Sequence, residues 1–385
     1  MAPSPAAPPL LDDIWDDIFR RLDAAEDLAR ASAVCTSFCR VVRSPRFLRR
    51  FRVLHPPHVL GFLDPKLGFC TAVPPHGAAP AGRALAAAAD FTFSFVPTPN
   101  LWRVRDARDG RVLLSHRSTV DSTALDDLLV CDPLHRRYVQ ISPISGDLLG
   151  STRRRTVPRF EPFLAPVAVE EEMEKEPSFR VICNVLFKRN VTAFIFSSVT
   201  GKWQGAMPFH LDFTPAIRHY VRNCFYWTCY RNKLLVFDPR EMKFSVIDLP
   251  PHHFKLGQAV VDAGDDRLGL ITFGRDDKTL ALRSKKWCDS DVGEQEWQHD
   301  KEIPLPDCCQ WYTILDSAEG LLLLQGVPRD ISQSACSSWP EGEQSHYCTL
   351  ELKTLLIQRL CALDYEVGTA HLYAGFPPLL PLPSV

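Results

Sequence analysis

Hydrophobic positions change their period once along this chain. From Leu10 to Phe47 they recur with helix spacing, at Leu10, Leu11, Ile14, Ile18 and Leu22, then at Leu28, Ala31, Val34, Cys35, Phe38, Val41 and Val42. Short amphipathic helices carrying two apolar stripes are predicted. Asp12 and Asp13 open the first stripe and Glu26 and Asp27 the second, placing carboxylates beside the positive dipole ends of the helices. Ser44-Pro45 ends the last one. Helices this short cannot enclose a sufficient core, so their apolar faces need cover from the rest of the chain or from another protein.

After His55-Pro56-Pro57 the spacing becomes that of strands. Val59 to Leu63 and the alternating Phe91 to Phe95 flank a Pro/Ala/Gly-rich excursion from Pro74 to Ala89. Four runs follow between Leu101 and Ser142, with Asp109-Gly110 and Asp132-Pro133 as turns. The same grammar returns in Phe179 to Trp203, Cys224 to Pro250, Gln258 to Pro306 and Trp311 to Cys361. Units of three or four strands recurring about every 40 to 50 residues predict a β-propeller, whose blades bury their faces only against neighbouring blades. The spacing gives about six blades, with five or seven also compatible; a pair of β-sandwiches is the alternative. Arg153-Arg154-Arg155 with Arg159, the Glu170 to Glu176 run, and Ile331 to Gln344 read as exposed loops.

The helical stretch resembles an F-box. The resemblance rests on Leu10, Asp12, Asp13, Ile14, Ile18, Arg21, Leu22, Leu28, Val34, Cys35 and Phe38, with Leu11 where the family has Pro and Phe38 where it often has Trp. The Asp132-Pro133 and Asp238-Pro239 steps, Leu249-Pro250 and the ending His371 to Pro378 resemble the F-box-associated domains of grass proteins, related to kelch-like propellers but lacking their Gly-Gly doublet. The resemblance implies a small all-α F-box of three short helices followed by a large all-β domain. Residues 1–9 would be a disordered leader, 10–52 the F-box and 53–385 the propeller-like substrate-recognition domain. It further implies the substrate-recognition subunit of a cullin-RING (SCF-type) ubiquitin ligase, bound to the adaptor subunit and through it to a cullin, with a protein target on the β domain. The implied adaptor-binding residues are Leu10, Leu11, Ile14, Ile18, Leu22, Leu28, Ala31, Val34, Cys35 and Phe38. Some of these form the module's internal core instead, and the sequence does not separate the two roles.

Composition narrows the remaining choices. Of 385 residues, 45% are hydrophobic and 23% charged, and the net charge of -2 gives no general attraction to nucleic acid or an anionic membrane. No secretory signal or membrane-spanning run is legible, so the expected location is the cytoplasm or nucleus. The 13 cysteines, without a Cys-x-x-Cys pair, suit reduced buried thiols. Asn190-Val191-Thr192 reads as an unmodified strand.

No local catalytic signature, cofactor loop or metal set is legible, and no catalytic residue, cofactor or metal ligand is expected. His252-His253 reads as an exposed pair. Cys308-Cys309, placed on a strand, would send their thiols to opposite faces. Cys35 and Cys39, one helical turn apart, read as buried packing. The tryptophans read mostly as core anchors, a few as binding hot spots. Two rival functions fit the same chain: an F-box scaffold acting outside any ligase, and a propeller hydrolase, which would need His210, Asp212, His219 and a blade-loop Asp to converge.

Overall fold

The structure is a computed structural model that describes residues 9–22, 25–44, 47, 50–51, 54–55, 59–65, 68–116, 127–149, 159–166, 178–187, 189–229, 232–250, 257–274, 277–286, 296–318, 320–328 and 344–375. The leader up to Ala7, the arginines 153–155, the Glu170 to Glu176 run, His252-His253, Trp287 and most of the loop after Ile331 lie outside these residues. The chain divides into two units, Met1–His58 and Val59–Val385.

In the first unit the predicted helices form: α1 (Pro9–Phe19), α2 (Ala25–Ser32) and α3 (Thr36–Val42). Cys35 caps α3, its Sγ accepting the Phe38 N–H at 3.5 Å. Phe19, Leu28, Val41, Val42, Phe47 and Phe51 are buried together, with Trp15, Leu22, Ala31 and Phe38 packed against them. Aromatic rings dominate this core. Trp15 and Phe38 lie 4.4 Å apart between centroids, and Phe19 meets Phe38 edge-on at 5.1 Å. Arg40 of α3 reaches both carboxylate oxygens of Asp12 on α1 at 2.9 Å.

The second unit is a six-bladed β-propeller. Blade one begins with β1 (Val59–Asp64) and β2 (Gly68–Thr71), covered by α4 (Ala79–Ala88), the helix that occupies the predicted excursion. Blade two holds β3 (Trp102–Arg108), β4 (Arg111–His116), β5 (Leu128–Asp132) and β6 (Arg137–Ile141). Blade three holds β7 (Arg159–Ala165), β8 (Arg180–Phe187), β9 (Asn190–Ser197) and β10 (Lys202–Gly205), with the short β11 (Phe209–His210) also pairing β9. Blade four holds β12 (Pro215–Val221), β13 (Cys224–Cys229), β14 (Lys233–Asp238) and β15 (Lys243–Asp248). Blade five holds β16 (Gln258–Asp262), β17 (Arg267–Phe273), β18 (Thr279–Lys286) and β19 (Gln298–Pro304). Blade six holds β20 (Cys309–Ala318), β21 (Leu321–Pro328), β22 (Ser345–Glu351) and β23 (Ile357–Leu363).

The last strand, β24 (His371–Ala374), returns to blade one and pairs antiparallel with β1, Phe62 opposite Leu372. It touches β20 on one side and β3 on the other, so it is the innermost strand of blade one and joins the first and last strands of this unit in a single sheet. The ring of blades thereby closes with strand pairing rather than an open edge.

Each pair of neighbouring blades shares an apolar layer. Blades two and three meet through Leu113, Val130, Val181 and Phe196; blades four and five through Tyr226, Leu234, Val260 and Leu270. Middle strands are therefore buried on both faces, as in β5 and β13, where every residue is buried. Hairpin turns match their residues: Asp109 and Gly110, with φ of 52° and 73°, make the doubly positive turn that suits a right-twisted β3–β4 hairpin.

Candidate functional site

Two places could carry function, one in each unit. In the helical unit, Ile14 and Ile18 stand four residues apart on α1, away from the face that carries Trp15 and Phe19 into the core. They are 53% and 44% exposed, and Val34, in the turn before α3, is 71% exposed. Water-facing large aliphatic side chains beside a well-filled core leave apolar surface for a partner.

In the propeller, the inner strands bring titratable side chains from five blades together around the central axis. Arg218 on β12 pairs with Asp106 on β3 at 3.0 Å and with Glu161 on β7 at 3.3 Å, and its guanidinium lies 4.2 Å over the Phe163 ring. Trp227 Nε1–H donates to both Glu161 oxygens at 3.1 Å. The Leu164 backbone N–H donates to Asp106 Oδ2 at 2.8 Å, and that of Leu372 to Asp316 Oδ2 at 2.7 Å. His371 Nδ1 sits 3.8 Å from Asp106, and His219 Nδ1 is 2.9 Å from Ser317 Oγ.

Burial sets the protonation of this cluster. It pushes Glu161 above the usual carboxylate range against the pull of Arg218, and lifts Asp316 to about 6. It also pushes His219 down to about 3 and His371 to about 4, so both imidazoles are neutral near pH 7. Every carboxylate here is already engaged by a cation or an N–H. Among the described residues no group of three or more His, Cys, Asp or Glu is placed to hold a metal ion. The arrangement holds inner strands together.

The family model of the F-box domain matches residues 10–50. The helical unit contains an F-box. No curated protein matches the chain. Among solved structures it is similar to TolB from Acinetobacter baumannii, at 10% identity and a TM-score of 0.38, covering 77% of this chain and 62% of that one. It is also similar to the protein lmo1340 from Listeria monocytogenes EGD-e (11% identity, TM-score 0.34, 69% and 66% coverage). An oligogalacturonate lyase in complex with manganese gives 8% identity, a TM-score of 0.34, and 67% and 63% coverage. The chain thus spans less than two thirds of the length of each of these structures. These likenesses carry no functional information.

Within the F-box, the ten residues singled out from sequence fall into different environments. Ile14, Ile18, Val34 and Cys35 are exposed, whereas Leu28 is buried and Leu22, Ala31 and Phe38 pack on the core. The side chains of Leu10 and Leu11 lie outside the described residues. Sequence reasoning passed over Trp15, Phe19, Phe47 and Phe51 as core; the i, i+4 spacing of Trp15 and Phe19 was the signal for the first two. Cys35 corrects the buried-packing expectation, since it faces water as the α3 cap.

Two further expectations change. Residues 91–95 form turns, not a strand, because Asp90 accepts the backbone N–H groups of Thr92 and Ser94 at 2.9 and 3.1 Å and draws Phe93 to a φ of 55°. Cys308 precedes β20 instead of lying on it, so its Sγ comes within 3.8 Å of that of Cys309 rather than on the opposite face. Trp311 is 44% exposed, while Trp227 is fully buried. Of the residues that a propeller hydrolase would need, His210 sits on β11, bonded to Asn190, whereas His219 is buried on the innermost strand of the next blade.

Proposed function

We propose that this chain is the substrate-recognition subunit of a cullin-RING (SCF-type) ubiquitin ligase. The F-box docks the adaptor subunit, and through it a cullin, using Ile14, Ile18, Val34 and Cys35. The propeller holds a target protein. The exposure of Ile14 and Ile18 beside a filled internal core is the observation that carries this reading, because it leaves apolar surface that the module does not use for itself. The chain makes and breaks no bonds. It acts by proximity, holding a target lysine near a ubiquitin-charged enzyme so that their encounter becomes effectively intramolecular. The cytoplasm or nucleus, where such ligases work, is the proposed location.

Affinity capture tests the reading with the full chain and an Ile14→Asp/Ile18→Asp variant. Wild type should bring down adaptor and cullin. The variant should lose both and keep the proteins bound through the propeller. Adaptor without cullin would support the scaffold alternative, and adaptor retained by the variant would refute the assigned surface.

A further inference from the structure

Blade six opens with two adjacent thiols on the same side of the chain. The last turn before β20 brings Cys308 Sγ to 3.8 Å from Cys309 Sγ and 3.9 Å from the Tyr312 hydroxyl, which itself donates to the Pro306 carbonyl at 2.9 Å. Gly326, across the hairpin on β21, makes the room: a Cβ there would come within 2.5 Å of Cys309 Sγ and 2.7 Å of the Tyr312 ring. Cys309 is buried and Cys308 partly exposed, so the pair is reachable from one side.

We propose that Cys308 and Cys309 form a dithiol site that captures trivalent organoarsenicals and similar soft groups able to bond two sulfurs at once. Thiolate ligands select soft centres. Zinc is a poor fit because its structural sites need four ligands, and linear two-coordinate ions need sulfurs facing each other across the metal. An arsenic(III) oxide carrying one organic group needs only two adjacent thiols. Two As–S bonds form, the As=O bond breaks, and both thiol protons leave with that oxygen as water; neither arsenic nor sulfur changes oxidation state. The hydrogen bond to Cys309 and burial both raise the Cys308 thiol's pKa, so Cys308 is not a poised single nucleophile, and the 3.8 Å approach of the two sulfurs is what suits the site to two-point capture.

Phenylarsine oxide, added at one equivalent to the folded full chain, provides the test, with adduct mapping by mass spectrometry. The tryptic peptide 302–329 contains only these two of the 13 cysteines. The expected result is an adduct on that peptide that survives excess glutathione and is removed by dithiothreitol. It should be lost in Cys308→Ser. An adduct mapped elsewhere, one that glutathione strips, or one that persists in Cys308→Ser would overturn the proposal. If the variant fails to fold, the wild-type mapping still decides.

Discussion

Arg218 and Asp106 are joined at 3.0 Å between the innermost strands of blades four and two, with Glu161 of blade three on the same guanidinium at 3.3 Å. One cation thus ties three blades. Removing it leaves two carboxylates facing each other without their counter-charge. Arg218→Ala should cost about 3–5 kcal/mol in urea unfolding of the propeller. Arg218→Lys should recover only part of that, because an ammonium cannot present a planar fork to two carboxylates. Replacing all three by Arg218→Met, Asp106→Asn and Glu161→Gln should be far milder than Arg218→Ala alone.

The same cluster gives the propeller an acid limit. His219 and His371 have folded pKa values of about 3 and about 4, below their ordinary 6.5. As pH falls below 6.5 the unfolded chain takes up protons that the folded chain refuses, so both histidines lower stability. Asp316 acts in the opposite sense: its folded pKa of about 6 lies above 3.8, so between those values the folded state binds the extra proton. Glu161, also raised by burial, acts with Asp316, and His346, also lowered by burial, acts with the other two histidines. Against wild type, His219→Gln should remove about 1.4 kcal/mol of acid destabilisation per pH unit between roughly pH 6 and 4, read by urea unfolding across that window.

Closure of the ring rests on a four-residue strand. Leu372 is buried opposite Phe62, and the Tyr373 hydroxyl donates to the Gly110 carbonyl at 2.8 Å, linking blades one and two. Leu372→Asp should abolish cooperative unfolding of the propeller by burying an unpaired carboxylate. Leu356→Asp, at a position 52% exposed, should change stability by less than about 0.5 kcal/mol. Near-ultraviolet circular dichroism and thermal melting separate the two.

Much of this architecture is legible in the sequence where burial is two-sided. Strands such as Leu128 to Cys131, Cys224 to Thr228 and Lys233 to Phe237 are apolar because blades cover both their faces, and Asp109-Gly110 marks its hairpin by turn chemistry. The innermost strands β7 and β12 are harder to read. Their Glu161 and Arg218 belong to the central charged cluster and Arg159 is an exposed strand end, so the segments carry charged residues and resemble charged loops. The central cluster is hidden for the same reason, being assembled from five blades with no local spacing. The F-box stripes show helices and their apolar side, but Ile14 and Leu28 carry the same hydrophobic signal while one faces water and the other the core.

That division separates stability from binding in the F-box. Phe19→Ala should cost about 3–5 kcal/mol in the module by opening a cavity among Trp15, Phe38 and Phe47. Leu22→Asp should likewise unfold the helices, seen as lost helical circular dichroism, because Leu22 packs on that core.

The most direct measurement is a calorimetric titration of the purified full chain with the ligase adaptor subunit. Wild type should bind, and Ile14→Asp and Ile18→Asp should each weaken binding by about 2 kcal/mol, roughly 30-fold, with melting unchanged. Unaltered affinity in the double variant, or no binding by wild type, would contradict the account.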